Sequence, residues 1–313
     1  MKFKYIVSLV VVALTGCHHD INDLPVFKAC KLVEINNFNS NGTRTRSTKY
    51  EYDKMGNLTK ATTEQYAVQG AFSGLQTIEY QYDADNYLQT RISSTSGFGL
   101  TNPISNTLRY SYFFNGSKVL YGITQTTQTG ETISNVITYT YLSGGLLPTS
   151  SVGGANNTLV TYLNGLTTSY TQNDNTNTKY TVSNGRIIRL TIGSTINRQY
   201  TYDSKGQLLN SVQYNTTTNQ TIFNEYTYDN QLIPNQTQLN LKGHPIIAAI
   251  YGENINNTKN YQFRTFEGNG LNGRVLSQQQ NSYIYTYNSK GLPVDRKVDN
   301  LFSDIKYTYT DCD

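Results

Sequence analysis

Few side chains of this chain have the type and spacing that catalysis requires. Three histidines occur in 313 residues, and two of them, His18 and His19, are adjacent near the N-terminus. That pair offers only two ligands to a metal ion, so we predict no metal site. His244 lies between Gly243 and Pro245, which predicts a turn rather than a general base. The histidines therefore indicate no catalytic centre.

Acidic residues recur at one point of a repeated phrase. Asp53, Asp83, Asp203 and Asp229 each follow a Tyr-x-Tyr triplet. An aspartate directly after a strand opens a turn, because its carboxylate accepts backbone hydrogen bonds from the residues ahead. We interpret these four as turn residues and the chain as not an enzyme. The alternative is a carbohydrate-processing or other envelope hydrolase, in which the fold brings two carboxylates together.

Two further segments resemble ligand-binding loops in their residue types but lack the structural context or the ligand pattern of such loops. Gly268-Asn-Gly270-Leu-Asn-Gly273 fits the dinucleotide fingerprint, but a strand-like run follows it instead of the helix that would hold a pyrophosphate. Residues 173–177 are rich in Asn and lack the ligand pattern of a calcium loop. We predict turns at both places and no cofactor.

The first 16 residues have the positive start, the apolar run and the small final residues of a secretory signal peptide. Their end and the next residue, Leu14-Thr15-Gly16-Cys17, resemble a bacterial lipobox. The resemblance implies cleavage before Cys17, diacylglycerol on its thiol and acylation of the new N-terminus. His18 in the next position implies sorting to the outer membrane. The alternative is an ordinary signal peptide with a cysteine near its end.

The charge of the chain indicates no nucleic-acid partner. The net charge is +4, and Lys2 and Lys4 lie in the predicted signal peptide, which leaves 23 basic against 21 acidic residues. No stretch is basic enough for a nucleic-acid patch. The predicted partner is membrane lipid, bound through acylated Cys17, because several acyl chains anchor a protein stably. Residues 17–29 are then an acylated tether.

The two cysteines that remain lie at opposite ends of the predicted folded part. Cys30 and Cys312 are an even number in an exported chain, which predicts a disulfide. The alternative is a pair of buried free thiols. A disulfide holds its two Cα atoms within about 7 Å, so the first and last strands would be neighbours.

One phrase is repeated along the chain. Its form is Tyr-x-Tyr, then Asp or Asn, then Gly or Asn, then Leu. The second tyrosines of the clear copies are Tyr52, Tyr82, Tyr112, Tyr141, Tyr202, Tyr228, Tyr287 and Tyr309. Successive copies are 30, 30 and 29 residues apart in the first half, and the spacing shortens to 26 and then 22 later.

Each copy predicts two strands and two turns. Tyr-x-Tyr places both aromatic rings on one face of a strand, and the Asp and Gly positions form the turn before the next strand. The fold class is therefore all-β, a single antiparallel up-and-down sheet of roughly 20–23 strands. We expect it to curl into a large barrel or near-barrel, because closure removes exposed edges.

The phrase resembles the YD repeat of RHS-type proteins, most closely at 50–58, 80–88, 200–208 and 285–292. With the lipobox and a cysteine soon after it, the chain resembles a Bacteroidota lipoprotein family of unknown function with a porin-like β fold. The resemblance implies that fold and an envelope address. It implies no activity and no catalytic residues.

The tyrosines admit two interpretations. Their recurrence at one place of every unit favours a cross-strand ladder, while an exposed row of phenols would bind a ligand. In the degenerate region 145–195, Tyr162, Tyr170 and Tyr180 lie outside the phrase. We predict these three as ligand contacts, with a glycan or an envelope protein as the ligand. The alternative is that the repeat has diverged in this region without acquiring a function.

These observations define the expected organisation. Residues 1–16 are a lipoprotein signal peptide, residues 17–29 an acylated tether, and residues 30–313 a single repeat-built β domain. The predicted function is a non-catalytic scaffold or binding module anchored at the outer membrane.

Overall fold

A computed structural model describes residues 30–67, 69–127, 132–153, 158–172, 178–193, 196–233, 242, 244, 256–299 and 304–310. Several sequence predictions fall outside these residues. They are the signal peptide 1–16, the tether 17–29 with Cys17, the Asn-rich tip 173–177, and Cys312.

The described residues form twenty β-strands. They are β1 Lys31–Phe38, β2 Arg44–Tyr52, β3 Leu58–Tyr66, β4 Phe72–Tyr82, β5 Leu88–Gly97, β6 Ile104–Phe114, β7 Lys118–Thr127, β8 Thr132–Tyr141, β9 Pro148–Gly153, β10 Thr158–Leu163, β11 Leu166–Thr171, β12 Thr178–Ser183, β13 Arg186–Ile192, β14 Ile196–Tyr202, β15 Leu208–Asn215, β16 Gln220–Leu232, β17 Asn256–Glu267, β18 Val275–Tyr287, β19 Pro293–Asp299 and β20 Asp304–Thr310.

The strands pair in chain order, and the last pairs with the first. Antiparallel registers join β1 to β2 and each next strand up to β11, and they continue from β12 to β20. Strand β20 then pairs with β1, where Tyr307 lies opposite Ile35. The prediction of an all-β, up-and-down sheet that curls toward closure is confirmed, and its twenty strands fall in the predicted range.

The irregular place in the ring lies between β11 and β12. In the described part of the chain, an isolated bridge joins Thr167 of β11 to Gly185 in the turn after β12. This junction falls in the region where the repeat is degenerate. The β1–β20 junction has a ladder instead, in which Lys31 faces Thr310. The buried Cys30 precedes that ladder, but Cys312 is outside the described residues, so their disulfide stays a prediction.

The predicted turn residues form the turns of the repeat. The Asp53 carboxylate accepts hydrogen bonds from the backbone N–H groups of Met55 and Asn57, each at 2.8 Å. Asp83, Asp203 and Asn288 accept the equivalent pairs of bonds in their own units. Because the carboxylates satisfy the turn amides, the interpretation of Asp53, Asp83 and Asp203 as turn residues is confirmed.

The fourth position of the regular repeat turns has a left-handed backbone. Gly56 has a φ of +86° and Gly206 a φ of +85°, while Asn86 has a φ of +65° at the same point of its unit. Glycine and asparagine tolerate this region better than other residues. The alternation of Gly and Asn in the phrase is explained by this one dihedral angle.

The leucine that ends the phrase anchors the next strand. Leu58 is 1% exposed and Leu88 is 0% exposed, and they pack together with Tyr80. The register shifts by one residue just before the second tyrosine, for example between Gln81 and Tyr82. This bulge sets the leucine opposite that tyrosine, so both side chains lie on the same face.

One face of the closed sheet is enclosed, and the tyrosines lie on it. Tyr80 is 8% exposed, whereas Glu51 and Gln81, which lie between the paired tyrosines, are exposed. A single-layer sheet can bury one face by closing around it. We call the face that carries Tyr50, Tyr80 and the residues in register with them the inner face.

The inner face is packed at one end and open at the other. Along β18, Tyr287, Tyr285 and Tyr283 are partly buried near the repeat turns, whereas Gln279 and Ser277 are exposed farther along the same face. At β18, solvent therefore reaches the inner face from the end opposite the repeat turns.

Candidate binding face

The second tyrosine of the unit is a structural residue. Its hydroxyl donates a hydrogen bond to the backbone carbonyl at the start of the preceding strand, as Tyr82 does to Leu58 at 3.0 Å. The same bond joins Tyr52 to Leu32, Tyr112 to Leu88, Tyr141 to Leu120, Tyr202 to Ile187, Tyr228 to Leu208 and Tyr309 to Pro293. The recurrence supports the ladder interpretation for these tyrosines, because the inner rows of the barrel use each hydroxyl internally.

The environment of these phenols keeps them neutral. Burial raises the pKa of Tyr139, Tyr202, Tyr228 and Tyr285 to about 12. Desolvation disfavours the charged form of a group, and for tyrosine that form is the phenolate. The inner face at the packed end therefore presents uncharged aromatic groups at neutral pH.

Four arginines lie on the same face beside the tyrosines. Arg91 is directly opposite Tyr80, and Arg296 is directly opposite Tyr285. Arg46 on β2 and Arg198 on β14 lie in phase with the tyrosines of their own strands. Arg46 is exposed and the other three are partly buried.

These arginines act on the neighbouring phenols. Burial raises the pKa of Tyr80 and of Tyr110, and the charge of Arg91 partly offsets that rise in both. The charge of Arg296 opposes the effect of burial on the pKa of Tyr307 in the same way. The guanidinium groups are thus close enough to the phenols to stabilise an anion there.

The carboxylates of the described strands lie mainly on the other face. Registers place Glu34, Glu51, Glu64, Glu79, Glu225, Asp295 and Asp304 there. Glu267 occupies an inner position at the open end, where it pairs with Arg274 at 3.2 Å. Asp229, at the packed end, accepts the hydroxyl of Tyr287. In the part of the chain that the structure describes, the four inner arginines form none of the ion pairs.

The three tyrosines predicted as ligand contacts lie on neighbouring strands of the degenerate region, Tyr162 on β10, Tyr170 on β11 and Tyr180 on β12. The Tyr162 hydroxyl bonds to Ser151 at 2.7 Å, in place of the carbonyl bond of the regular units. The rings of Tyr170 and Tyr180 meet edge to face with their centroids 4.4 Å apart. These two rings therefore connect β11 to β12 where the ladder is irregular. Their role as ligand contacts stays a prediction.

A shallow cavity of about 290 Å³ lies next to this junction. Leu163, Leu166 and Val182 are among its lining residues. Leu163 is 64% exposed, and Leu166 is 43% exposed. The hairpin ends on either side of the irregular junction thus present apolar side chains to solvent.

His244 lies against the inner tyrosines Tyr110 and Tyr112. Its Nε2 is 3.0 Å from the Tyr112 hydroxyl, and burial lowers its pKa to about 4. Lys242 donates to the Asp85 carbonyl at 2.9 Å. Both residues belong to the connection between β16 and β17, which is ten strands around the ring from β6. His244 and Lys242 therefore contact the opposite wall of the barrel.

The remaining loop motifs are turns or lie elsewhere. Residues 268–273 form the turn between β17 and β18, as predicted, and Gly268 has a φ of +80°. Within the described ranges, no group of three or more His, Cys, Asp or Glu side chains is placed to hold a metal ion. Among the same residues, no helix has the length and apolar character to span a membrane.

The chain is similar to several solved structures. A porin-like protein from Bacteroides vulgatus is 13% identical, with 89% of this chain and 98% of that chain covered and a TM-score of 0.33. A porin-like protein from Bacteroides uniformis is 12% identical, with 89% and 96% covered and a TM-score of 0.33. These are similarities of fold.

A third similarity is to the TcdB2-TccC3-TEV structure. The identity is 12% and the TM-score 0.22, with 85% of this chain but only 15% of that chain covered. No protein-family model matches the sequence. No curated protein matches it either.

Sequence reasoning missed the inner arginines. Their signal is present, because each lies within two to four residues of a tyrosine or of the leucine that starts a strand. Alternation with the tyrosines of their own strands places Arg46 and Arg198 on the inner face, whereas the bulges that decide the face of Arg91 and Arg296 are not visible in the residue pattern.

Proposed function

We propose that the chain is a lipid-anchored, non-catalytic barrel of the outer membrane whose inner face binds a ligand. The observation that carries the proposal is the closed ring, packed with tyrosines at one end, open at the other, and lined by arginines between. Such an interior is concave and combines aromatic surface with a few convergent polar groups, which is typical of binding sites.

A non-catalytic role is supported by how the conspicuous carboxylates are used. The turn aspartates accept backbone N–H bonds, and Asp83 also accepts one from Lys118 at 2.7 Å. Burial opposes the ionisation of Asp83, but these hydrogen bonds hold its pKa below the ordinary value. A carboxylate fixed in this state is a poor general acid, since it stays ionised at neutral pH.

A position beside the bilayer is supported by the outer face. Glu51, Gln81, Ser111, Thr201 and Thr308 are exposed there. Transmembrane barrels need an apolar band on the outer face. The anchor in this proposal is therefore the acylated Cys17, with residues 18–29 as the tether between lipid and barrel.

Replacing the lipidated residue tests the anchor. We expect Cys17→Ser to lose incorporated radiolabelled palmitate and to move from the membrane fraction to the soluble fraction, because serine lacks the thiol that forms the thioether. His19→Ser, two residues farther along, should keep both the label and the membrane location. Label that persists in Cys17→Ser contradicts the proposed anchor.

A binding array tests the binding role. The full chain, in detergent micelles, is exposed to arrayed neutral and acidic oligosaccharides and to extracted envelope proteins. We expect one ligand class to be retained without chemical change. The inner face offers groups that recognise a ligand, whereas the turn carboxylates are already used in hydrogen bonds to the backbone. The array products are checked by mass spectrometry. Cleaved oligosaccharides would support the hydrolase alternative, and no retained ligand of any class would contradict the binding role.

A further inference from the structure

We propose that the ligand of the inner face is an acidic oligosaccharide, whose carboxylate groups are held by Arg46, Arg91 and Arg296. This inference rests on the proposed binding role and names the chemical class of the ligand. It starts from the separation of charge between the two faces of the sheet.

The inner face is positive between the packed end and the open rim. Arg91 and Arg296 lie in the rows of Tyr80 and Tyr285 beside the packed end, and Arg198 and Arg46 lie farther toward the open end. The strand carboxylates that the structure describes lie on the outer face or at the two ends. Walls of low dielectric constant around a cleft of one charge sign focus its potential. The interior therefore attracts anions.

Arg91 and Arg296 hydrogen bond to Tyr80 and Tyr285, and the guanidinium groups keep further hydrogen-bonding capacity for a ligand. The Nε atoms of Arg198 and Arg296 are buried and have no hydrogen-bond partner among the described residues. A guanidinium has five donors in a planar fork that matches a carboxylate in a bidentate manner. An anionic group on a ligand is the partner that this arrangement fits.

The spacing around the ring favours a chain-like ligand. Arg296 on β19, Arg46 on β2 and Arg91 on β5 are separated by three strands each, counted through the β20–β1 junction. Neighbouring strands lie about 4.8 Å apart, so Arg296 and Arg46, which share one row through Ile305 and Asn37, are separated by roughly 14 Å. Arg91 lies three strands beyond Arg46 and closer to the repeat turns, because the row of Arg46 meets β5 at Gly97. Cations spread over this distance fit a polymer with several anions better than a single small ion.

The side chains between the arginines favour a sugar over other polyanions. The inner face carries hydroxyl and amide groups there, on Asn37, Thr48, Thr63, Gln65 and Ser93. Partly exposed phenols such as Tyr50 and Tyr283 lie beside them, and Arg296 stacks over the Tyr283 ring at 5.1 Å. Phenol rings pack on sugar faces, and the hydroxyls and amides hydrogen bond to sugar hydroxyls.

Calorimetric titration of the full chain in detergent micelles tests the inference. The probes are oligogalacturonate, which is carboxylated, and a neutral cello-oligosaccharide of equal length. We expect binding of oligogalacturonate only, weakened by added salt. Arg91→Gln with Arg296→Gln should weaken it at least about tenfold, since each removes a charge-assisted bond.

The matched control removes the same charge from the other face. Arg109 and Lys297 are exposed on the outer face, so Arg109→Gln with Lys297→Gln should change affinity by less than about twofold. Because the inner pair is partly buried, the exposed Arg46→Gln serves as a second variant that keeps the fold, and it should also weaken binding. Far-ultraviolet circular dichroism verifies folding in each case.

Each other outcome has a defined meaning. Equal loss in the inner and outer pairs, or no loss in Arg46→Gln, overturns the assignment to the inner arginines. Equal binding of the neutral oligosaccharide overturns the acidic class but leaves the binding role intact. Tighter binding of an acidic peptide or of single-stranded DNA overturns the sugar class. Binding of no probe, together with no ligand on the array, overturns both proposals.

Discussion

Leu88→Ala is expected to lower the free energy of unfolding by about 2–5 kcal/mol, the usual cost of removing a fully buried leucine side chain. Leu88 is 0% exposed and packs with Leu58 and Tyr80 at the packed end of the barrel. Its carbonyl accepts the Tyr112 hydroxyl at 2.9 Å, and that bond depends on the backbone position that the side chain fixes. Urea denaturation followed by circular dichroism measures the change.

The control for this prediction is a leucine of the degenerate region. Leu163 ends β10 and is 64% exposed, so Leu163→Ala should cost less than about 1 kcal/mol. A loss for Leu88→Ala no larger than that for Leu163→Ala would contradict the view that the phrase-ending leucine anchors each strand.

Alkaline pH is expected to unfold the protein between about pH 10 and pH 12, in a transition steeper than one titrating group allows. The ordinary pKa of a tyrosine is 10.0, and burial raises that of Tyr139, Tyr202, Tyr228 and Tyr285 to about 12. The folded state therefore binds more protons than the unfolded state in this window. The contribution of these phenols to stability is constant below pH 10 and falls as the pH rises through their folded pKa values.

Parallel titrations by circular dichroism and by phenolate absorbance measure this transition. Tyr139→Phe removes one of the titrating phenols, so its alkaline midpoint should move to higher pH relative to its stability at neutral pH. Tyr121→Phe changes a tyrosine that is 51% exposed and should leave the midpoint in place. Phenols that ionise with the fold intact would contradict the prediction.

The parts of the fold that follow from neighbouring residues were predictable from sequence. The turns depend on an aspartate and a glycine three residues apart, as in Asp53 and Gly56, and the hydrogen bonds and dihedral angle they serve are local. Strand direction and count follow from the same phrase, because each turn reverses the chain. Curling of the sheet toward closure was argued from edges, and the pairing of β20 with β1 confirms it.

The face of individual side chains was not predictable. Simple alternation from the inner Leu88 places Arg91 on the outer face. The bulge between β4 and β5 adds one residue, Gln89, and so turns Arg91 to the inner face opposite Tyr80. Bulges depend on pairing between strands, and one shift of register exchanges the two faces of everything that follows.

The position of the irregular junction was also hidden. The degenerate phrase at 145–195 indicates a change, but it does not distinguish a worn repeat from a break in the ladder. The break is decided by pairing between β11 and β12, where an isolated bridge and the contact of Tyr170 with Tyr180 are described instead of a register.

The hydroxyl-to-carbonyl bond of the ladder has a consequence for how the bore of the barrel can change. It always runs from an even-numbered strand back to the odd-numbered strand before it, as from Tyr82 to Leu58. The bond therefore stays within one pair of strands, and each pair presents an equivalent edge to the next pair. Gene duplication or loss of one phrase then adds or removes two strands, which is about 10 Å of circumference. Each remaining tyrosine that makes this bond keeps its acceptor. A lineage that inherits this unit can match its ring to ligands of different girth by changing the number of copies.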